Sequence, residues 1–172
     1  MSVRARLRRW LPHPVLSLAL ILAWVALQNE FAAAHWLMGA IVGVVIPRLL
    51  RPFWPDPPPV RSWRAALAYA AVVLWDIAKA NVQVAGWVLL RRPETLRSSW
   101  LVVPLELRVP EAITLLAGTI TMTPGTVSCD LAADGSALLV HCLHTEDAAA
   151  TVAEIKTRYE ERLMRIFGEG EA

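Results

Sequence analysis

Three apolar stretches before residue 91 constrain the fold more than any other feature of this sequence. They cover residues about 14–28, 35–47 and 64–90. The first two are shorter than the ~20 residues of a comfortable bilayer crossing, which indicates a short helical hairpin that crosses or enters a membrane. The third is long enough to span. We therefore predict a membrane region over residues 1–97 and a soluble domain over residues 98–172.

The charges are divided in the same way as the apolar residues. Residues 1–100 contain 12 Lys+Arg and 4 Asp+Glu, a net charge of +8, and the remaining residues contain 5 and 11, a net charge of −6. A basic, apolar half followed by an acidic, mixed half is typical of a membrane part joined to a soluble part. Because the arginines bracket apolar stretches instead of forming a stripe on the soluble half, nucleic-acid binding is not expected.

The arginine-rich start resembles a signal peptide. The first apolar stretch ends in QNEF, without a small-residue cleavage site, and the second stretch follows at once, so we predict a retained anchor. Arginines cluster at residues 4–9, 48–64 and 91–97, and the loop 28–35 has none. The positive-inside rule then places both ends of the hairpin in the cytoplasm.

The third helix carries a polar stripe along one face, formed by Tyr69, Asp76, Lys79, Gln83 and Trp87. Two orientations remain open. The helix either spans, with this stripe against a protein neighbour, or lies in the interface with the stripe towards water. The arginine distribution favours the interfacial or steeply tilted orientation, which places the C-terminal domain in the cytoplasm. Asp76 and Lys79, three residues apart, are predicted to pair and to dock the helix rather than to relay protons.

The sequence of the C-terminal part predicts a small α+β two-layer sandwich, with its elements in the order β-α-β-β-α. Its first strand is expected at residues 100–107, with Pro104 indicating an edge strand, and its helices at residues 110–121 and 147–167. Asp134-Gly135 predicts a tight hairpin turn between the second and third strands.

The expected hairpin register pairs Val127 with Cys142, Cys129 with Val140, and Leu131 with Leu138, all on the buried face. Both cysteines are then small core residues with free thiols. The sequence contains no glycine-rich phosphate loop, nucleophile elbow or HExxH motif, so we predict no catalytic, cofactor or metal site and no enzyme activity. His141 and His144 are expected on opposite faces of a strand, which argues against shared metal binding.

Two segments resemble the E subunit of the Mrp-type (Mnh/Pha) multisubunit Na⁺ or K⁺/H⁺ antiporters. These are DIAKANVQV at residues 76–84, and ITMTPGTVSCDLAADGSALLVHCL at residues 120–143, where Met122 replaces the usual leucine. The resemblance implies a multi-pass protein of the bacterial inner membrane, in a complex with other antiporter subunits. In that family the E subunit has an accessory or assembly role, and Ile77–Asn81 and Thr123–Thr126 are the matching signature residues.

The functional hypothesis is an accessory subunit of a cation/proton antiporter, without chemistry of its own. Two alternatives remain: a membrane-anchored adaptor that recruits a soluble partner, or a subunit that lines an ion path through Asp76 and Lys79. The Thr123–Thr126 corner is either a helix stop alone or also a docking surface. The candidate subunit-contact residues are Asp76, Lys79, Asn81, Gln83, Thr123, Pro124, Gly125 and Thr126.

Overall fold

A computed structural model describes residues 14–53, 58–90 and 95–169 of the chain. The arginine cluster of the predicted anchor, before residue 14, therefore lies outside the described residues. The chain divides into two compact units, Met1–Pro57 and Pro58–Ala172. This division differs from the expected boundary near residue 97, because the third apolar helix packs with the α+β elements that follow it.

The first unit is a helical hairpin of α1 (Pro14–Gln28) and α2 (Ala33–Leu50). Small residues allow the two helices to approach closely. A Cβ atom added at Gly43 would lie 2.8 Å from the Ser17 carbonyl oxygen and 2.7 Å from Cγ1 of Ile21, so only glycine fits there. By length and composition α2 could cross a membrane, as could the third helix, and α1 is shorter. The predicted hairpin is thus present.

The second unit begins with the long third helix, α3 (Trp63–Leu90). The α+β elements follow in the predicted β-α-β-β-α order, and the last helix is interrupted by a π-helical segment. Their bounds are β1 Ser99–Pro104, α4 Pro110–Met122, β2 Thr126–Leu131, β3 Ala137–Cys142, α5 Ala148–Ile155, the π segment Lys156–Glu160 and α6 Glu161–Phe167. β1 ends at Pro104, three residues before the end of the strand expected at residues 100–107.

The three strands form one antiparallel sheet in the order β1-β3-β2. β1 is an edge strand, in agreement with the expectation from Pro104, which is its last residue. Asp147 begins the C-terminal helix as its N-cap, because its carboxylate accepts hydrogen bonds from the backbone N–H groups of Ala149 and Ala150.

The core of this unit lies between one sheet face and the helices, and α3 is part of it. Val103 and Val140 from the sheet, Leu116 from α4 and Leu163 from α6 are fully buried. Tyr69 and Val73 of α3 belong to the same core, and the Tyr69 hydroxyl is 2.6 Å from Thr119 Oγ1. The polar stripe of α3 therefore faces the chain's own α+β domain, which neither of the two expected orientations included.

The hairpin register is as expected near its turn and differs towards the strand ends. Leu131 pairs with Leu138, but a β-bulge between Ser128 and Asp130 shifts the remaining pairs. The prediction that Cys129 lies in the core is therefore wrong. The bulge adds one residue to β2, and Cys129 is exposed.

The same bulge corrects the other end of the hairpin. Val127 pairs with His141 instead of Cys142 and lies on the outer face, where it is 46% exposed. Cys142 pairs with Thr126 and is buried, as predicted. His141 points outward as expected, with its ring 4.9 Å from that of Trp100.

We expect the two thiols to react at different rates in the folded chain. In mild detergent, maleimide should label Cys142→Ala rapidly through the exposed Cys129, and Cys129→Ser only after denaturation, because Cys142 is buried. Mass spectrometry of the two variants over time measures this difference. Equal labelling rates in native protein would contradict the bulge.

Candidate functional site

Most of the predicted contact residues meet in one cleft of about 240 Å³ between α3, the α4–β2 corner and the C-terminal helix. Asn81 is the exception, since its side chain is exposed and donates to the Ile77 carbonyl oxygen on its own helix. The lining includes Asp76, Lys79, Gln83 and Trp87 of α3, Thr123, Pro124, Gly125 and Thr126 of the corner, and Thr151, Glu154, Arg158 and Tyr159 of the C-terminal helix.

Asp76 is fixed at the base of this cleft by residues from the far end of the chain. Arg158 donates from Nε to Oδ2 at 2.6 Å and from Nη2 to Oδ1, a bidentate pair. The Tyr159 hydroxyl donates to Oδ2 at 3.0 Å. The Asp76 residue is 7% exposed. Both carboxylate oxygens are thus used to hold α3 against the C-terminal helix.

The expected pairing of Asp76 with Lys79 is therefore wrong, because Asp76 forms its ion pair with a different residue. Lys79 lines the cleft and is exposed, and the ion pair of Asp76 is made with Arg158. Asp76 and Lys79, three residues apart on one helix, could pair only at the helix surface. Arg158 instead reaches the Asp76 carboxylate from the α+β domain. The docking role predicted for Asp76 is realised within the chain itself.

Tyr159 is a protonated donor in this arrangement. Burial, reinforced by the hydrogen bond to the Asp76 carboxylate, raises the pKa of Tyr159 to about 12. The phenol therefore remains neutral throughout the physiological range and donates to the carboxylate.

The Thr123–Thr126 corner is a rigid wall of the cleft. Thr123 Oγ1 donates to the Thr119 carbonyl oxygen at 2.9 Å, and Thr126 Oγ1 donates to that of Ile120 at 2.7 Å, which closes the end of α4. Gly125 has a φ of 95°, a conformation that other residues resist. A Cβ atom there would lie 3.4 Å from Val84 of α3, an ordinary van der Waals contact, so the backbone conformation and not the available space favours glycine.

The π segment supplies the residues that sequence reasoning missed, Arg158 and Glu160. Glu160 is 1% exposed and accepts hydrogen bonds from the backbone N–H groups of Glu106 and Leu107 and from Lys156 Nζ. Arg158 and Glu160, two residues apart in the π segment, thus bind different neighbours of the helix, namely α3 and the segment after β1. The sequence signals only their neighbour Tyr159, which shares an apolar helix face with Val152, Ile155 and Leu163 by its spacing.

The comparisons with known proteins agree with one another. Residues 17–166 match the family described as Na⁺/H⁺ ion antiporter subunit. The E subunit of a probable K⁺/H⁺ antiporter of Rhizobium meliloti is 28% identical over 161 residues, with 94% of this chain and 99% of that protein covered. The E subunit of the Na⁺/H⁺ antiporter of Alkalihalophilus pseudofirmus is 25% identical, with 88% and 96% covered.

The fold also occurs in a solved membrane complex. A chain of the archaeal membrane-bound sulfane sulfur reductase superimposes with a TM-score of 0.62 at 21% identity, covering 89% of this chain and 96% of that one. This likeness concerns the fold alone.

We expect Asp76→Asn to destabilise the full-length chain far more than Lys79→Ala. Removing the charge leaves Arg158 without its partner, at a cost of about 3 kcal/mol, the low end for a broken buried pair because the Arg158 side chain is 36% exposed. That corresponds to a fall of roughly 6–12 °C in Tm. Lys79→Ala, at an exposed site, should change stability by less than about 0.5 kcal/mol. Thermal melts in detergent followed by near-ultraviolet circular dichroism measure both, and equal Tm values would contradict the assigned ion pair.

Proposed function

The chain belongs to the Na⁺/H⁺ ion antiporter subunit family, and from this membership we propose that it is the accessory, non-catalytic E subunit of a multisubunit antiporter. It is a membrane protein and a component of a transporter, not an enzyme. The complex would exchange protons for Na⁺ or K⁺, the ions named in its relatives. Its partners would be the other subunits of an Mrp-type complex.

The hydrogen bonding of the Asp76 carboxylate is the observation that supports the accessory role. It is the one acidic residue between Asp56 and Glu94 in the sequence, and it would be the natural ion ligand of α3. A carboxylate that passes protons or cations must exchange its partners. The Asp76 oxygens are instead held by a bidentate guanidinium and a phenol. This arrangement favours a structural role over the ion-path alternative.

The open side of the cleft is the proposed contact with a neighbouring subunit. Lys79 and Gln83 on α3 are exposed, and Thr123 and Glu154 line the same space. Such a mixture of charges and short polar groups suits a polar segment of a partner protein better than an apolar ligand. The Thr123–Thr126 corner would then combine its folding role with docking.

The C-terminal domain is proposed to lie in the cytoplasm of a bacterial cell. The support is the distribution of arginines, with clusters on both sides of the α1–α2 hairpin and none in its loop, together with the free thiols Cys129 and Cys142.

The docking proposal is tested by adding bulk to the cleft at Thr123. We expect Thr123→Tyr to leave the chain folded and to reduce co-purification with the large antiporter subunits by tenfold or more, about 1.4 kcal/mol of binding free energy. Thr114→Tyr is a matched control, because Thr114 is exposed on α4 and, like Thr123, donates to the carbonyl oxygen four residues earlier. It should assemble normally.

Affinity pull-down of the tagged variants, with Tm measured in parallel, separates the outcomes. Normal assembly of a folded Thr123→Tyr chain would contradict the proposed docking role of the Thr123–Thr126 corner. If that variant unfolds, Lys79→Glu at the exposed rim provides the same test. A chain that is a stable monomer in detergent, without antiporter subunits, would favour the adaptor alternative.

Fusions at the C-terminus test the orientation. A fluorescent protein that matures only in the cytoplasm should be bright after Ala172, and alkaline phosphatase at the same position should be inactive. The reverse pattern would place the α+β domain on the other side of the membrane.

A further inference from the structure

The face of α3 opposite the cleft is a continuous apolar surface without a partner within the described residues of the second unit. Leu67, Leu74, Trp75, Val82 and Val88 lie along it, each with 68–76% of its surface exposed. Their spacing follows the helical repeat, with alanines between them, so they form one stripe along the helix. This stripe is defined here as the outer face of α3.

The α+β domain contacts the other face of α3 near its start, its middle and its far end. At its start the Arg61 backbone N–H donates to the Ile166 carbonyl oxygen at 2.9 Å. Asp76 binds Arg158 near the middle, and at the far end the Trp87 ring lies 5.0 Å from that of His144. These contacts extend over roughly 40 Å of helix at 1.5 Å per residue.

We propose that α3 lies in the plane of the membrane surface, with its outer face in the lipid and its inner face towards the α+β domain. A crossing orientation would draw the domain into the hydrocarbon with it. Arg158 is 36% exposed and Glu154 is exposed on the same domain, and such groups are costly at membrane depth. A helix that lies flat keeps these charges in water and still buries its apolar stripe.

Lipid is the occupant that fits this face. Alkyl side chains and alanines fill its length, and Trp63 and Trp75 supply the indole rings that favour the headgroup region. Arg64 is exposed at the start of the helix, and Arg91 and Arg92 follow its end in the sequence. Basic residues at both ends attract anionic headgroups. The inference is independent of the proposed docking cleft, which lies on the other side of the helix.

Depth-dependent fluorescence quenching tests the orientation. Single cysteines are introduced as Leu67→Cys, Leu74→Cys, Val82→Cys and Val88→Cys in a full-length Cys129→Ser/Cys142→Ala background and labelled with an environment-sensitive dye. The chain is reconstituted in phosphatidylethanolamine/phosphatidylglycerol vesicles that carry nitroxide lipids at defined depths. We expect all four labels at one depth, about 5–10 Å into the headgroup–acyl boundary.

A crossing helix would give a different profile. Its middle labels would lie about 15 Å deep, near the bilayer centre, and its outer labels near the two surfaces, and that result would overturn the proposal. Quenching by aqueous iodide equal to that of Ser136→Cys, an exposed position in the hairpin, would also overturn it. A labelled variant that loses its native Tm is replaced by Ala78→Cys on the same stripe.

Discussion

Asp76 is buried, so its charge would cost several kcal/mol if it were unpaired, and Arg158 and Tyr159 together offset that cost. Because the guanidinium and the phenol come from consecutive residues of one helix, the carboxylate fixes the position and the rotation of that helix relative to α3. Tyr69 of α3 adds a hydrogen bond to Thr119 of α4, so α3 is held by a second helix of the domain as well. The cleft and the two faces of α3 follow from this arrangement.

Sequence reasoning succeeded where the controlling interactions are local. Four features each follow from one or two residues and their backbone preferences. They are the helix starts at Pro110 and Asp147, the turn at Gly135 and the edge position of Pro104. The register failed at Cys129, because a β-bulge depends on packing across the sheet and leaves no mark in an alternating pattern.

The sequence predicted part of the lining of the cleft but not its geometry. The stripe on α3 and the Thr123–Thr126 corner were both identified, and they line one cleft. What could not be inferred is that the C-terminal helix supplies the third wall. Arg158 looks like any solvent-facing arginine on an amphipathic helix, and the extra residue of the π segment is invisible to a periodicity of 3.6. Contacts between residues that are remote in sequence can be identified only once the fold is known.

The sequence separation of Asp76 and Arg158 has a consequence for biosynthesis. The two residues are 82 positions apart, so at roughly 5–20 residues per second the ribosome needs about 4–16 s to deliver the guanidinium after the carboxylate. During that interval α3 has no domain to cover its inner face, and the α1–α2 hairpin has already been synthesised. Synthesis of the hairpin therefore precedes closure of the second unit, and Asp76 has no guanidinium partner until Arg158 has been synthesised. An early release of the chain before residue 158 would leave a helix with one lipophilic face and one uncompensated acid, a natural substrate for membrane quality control.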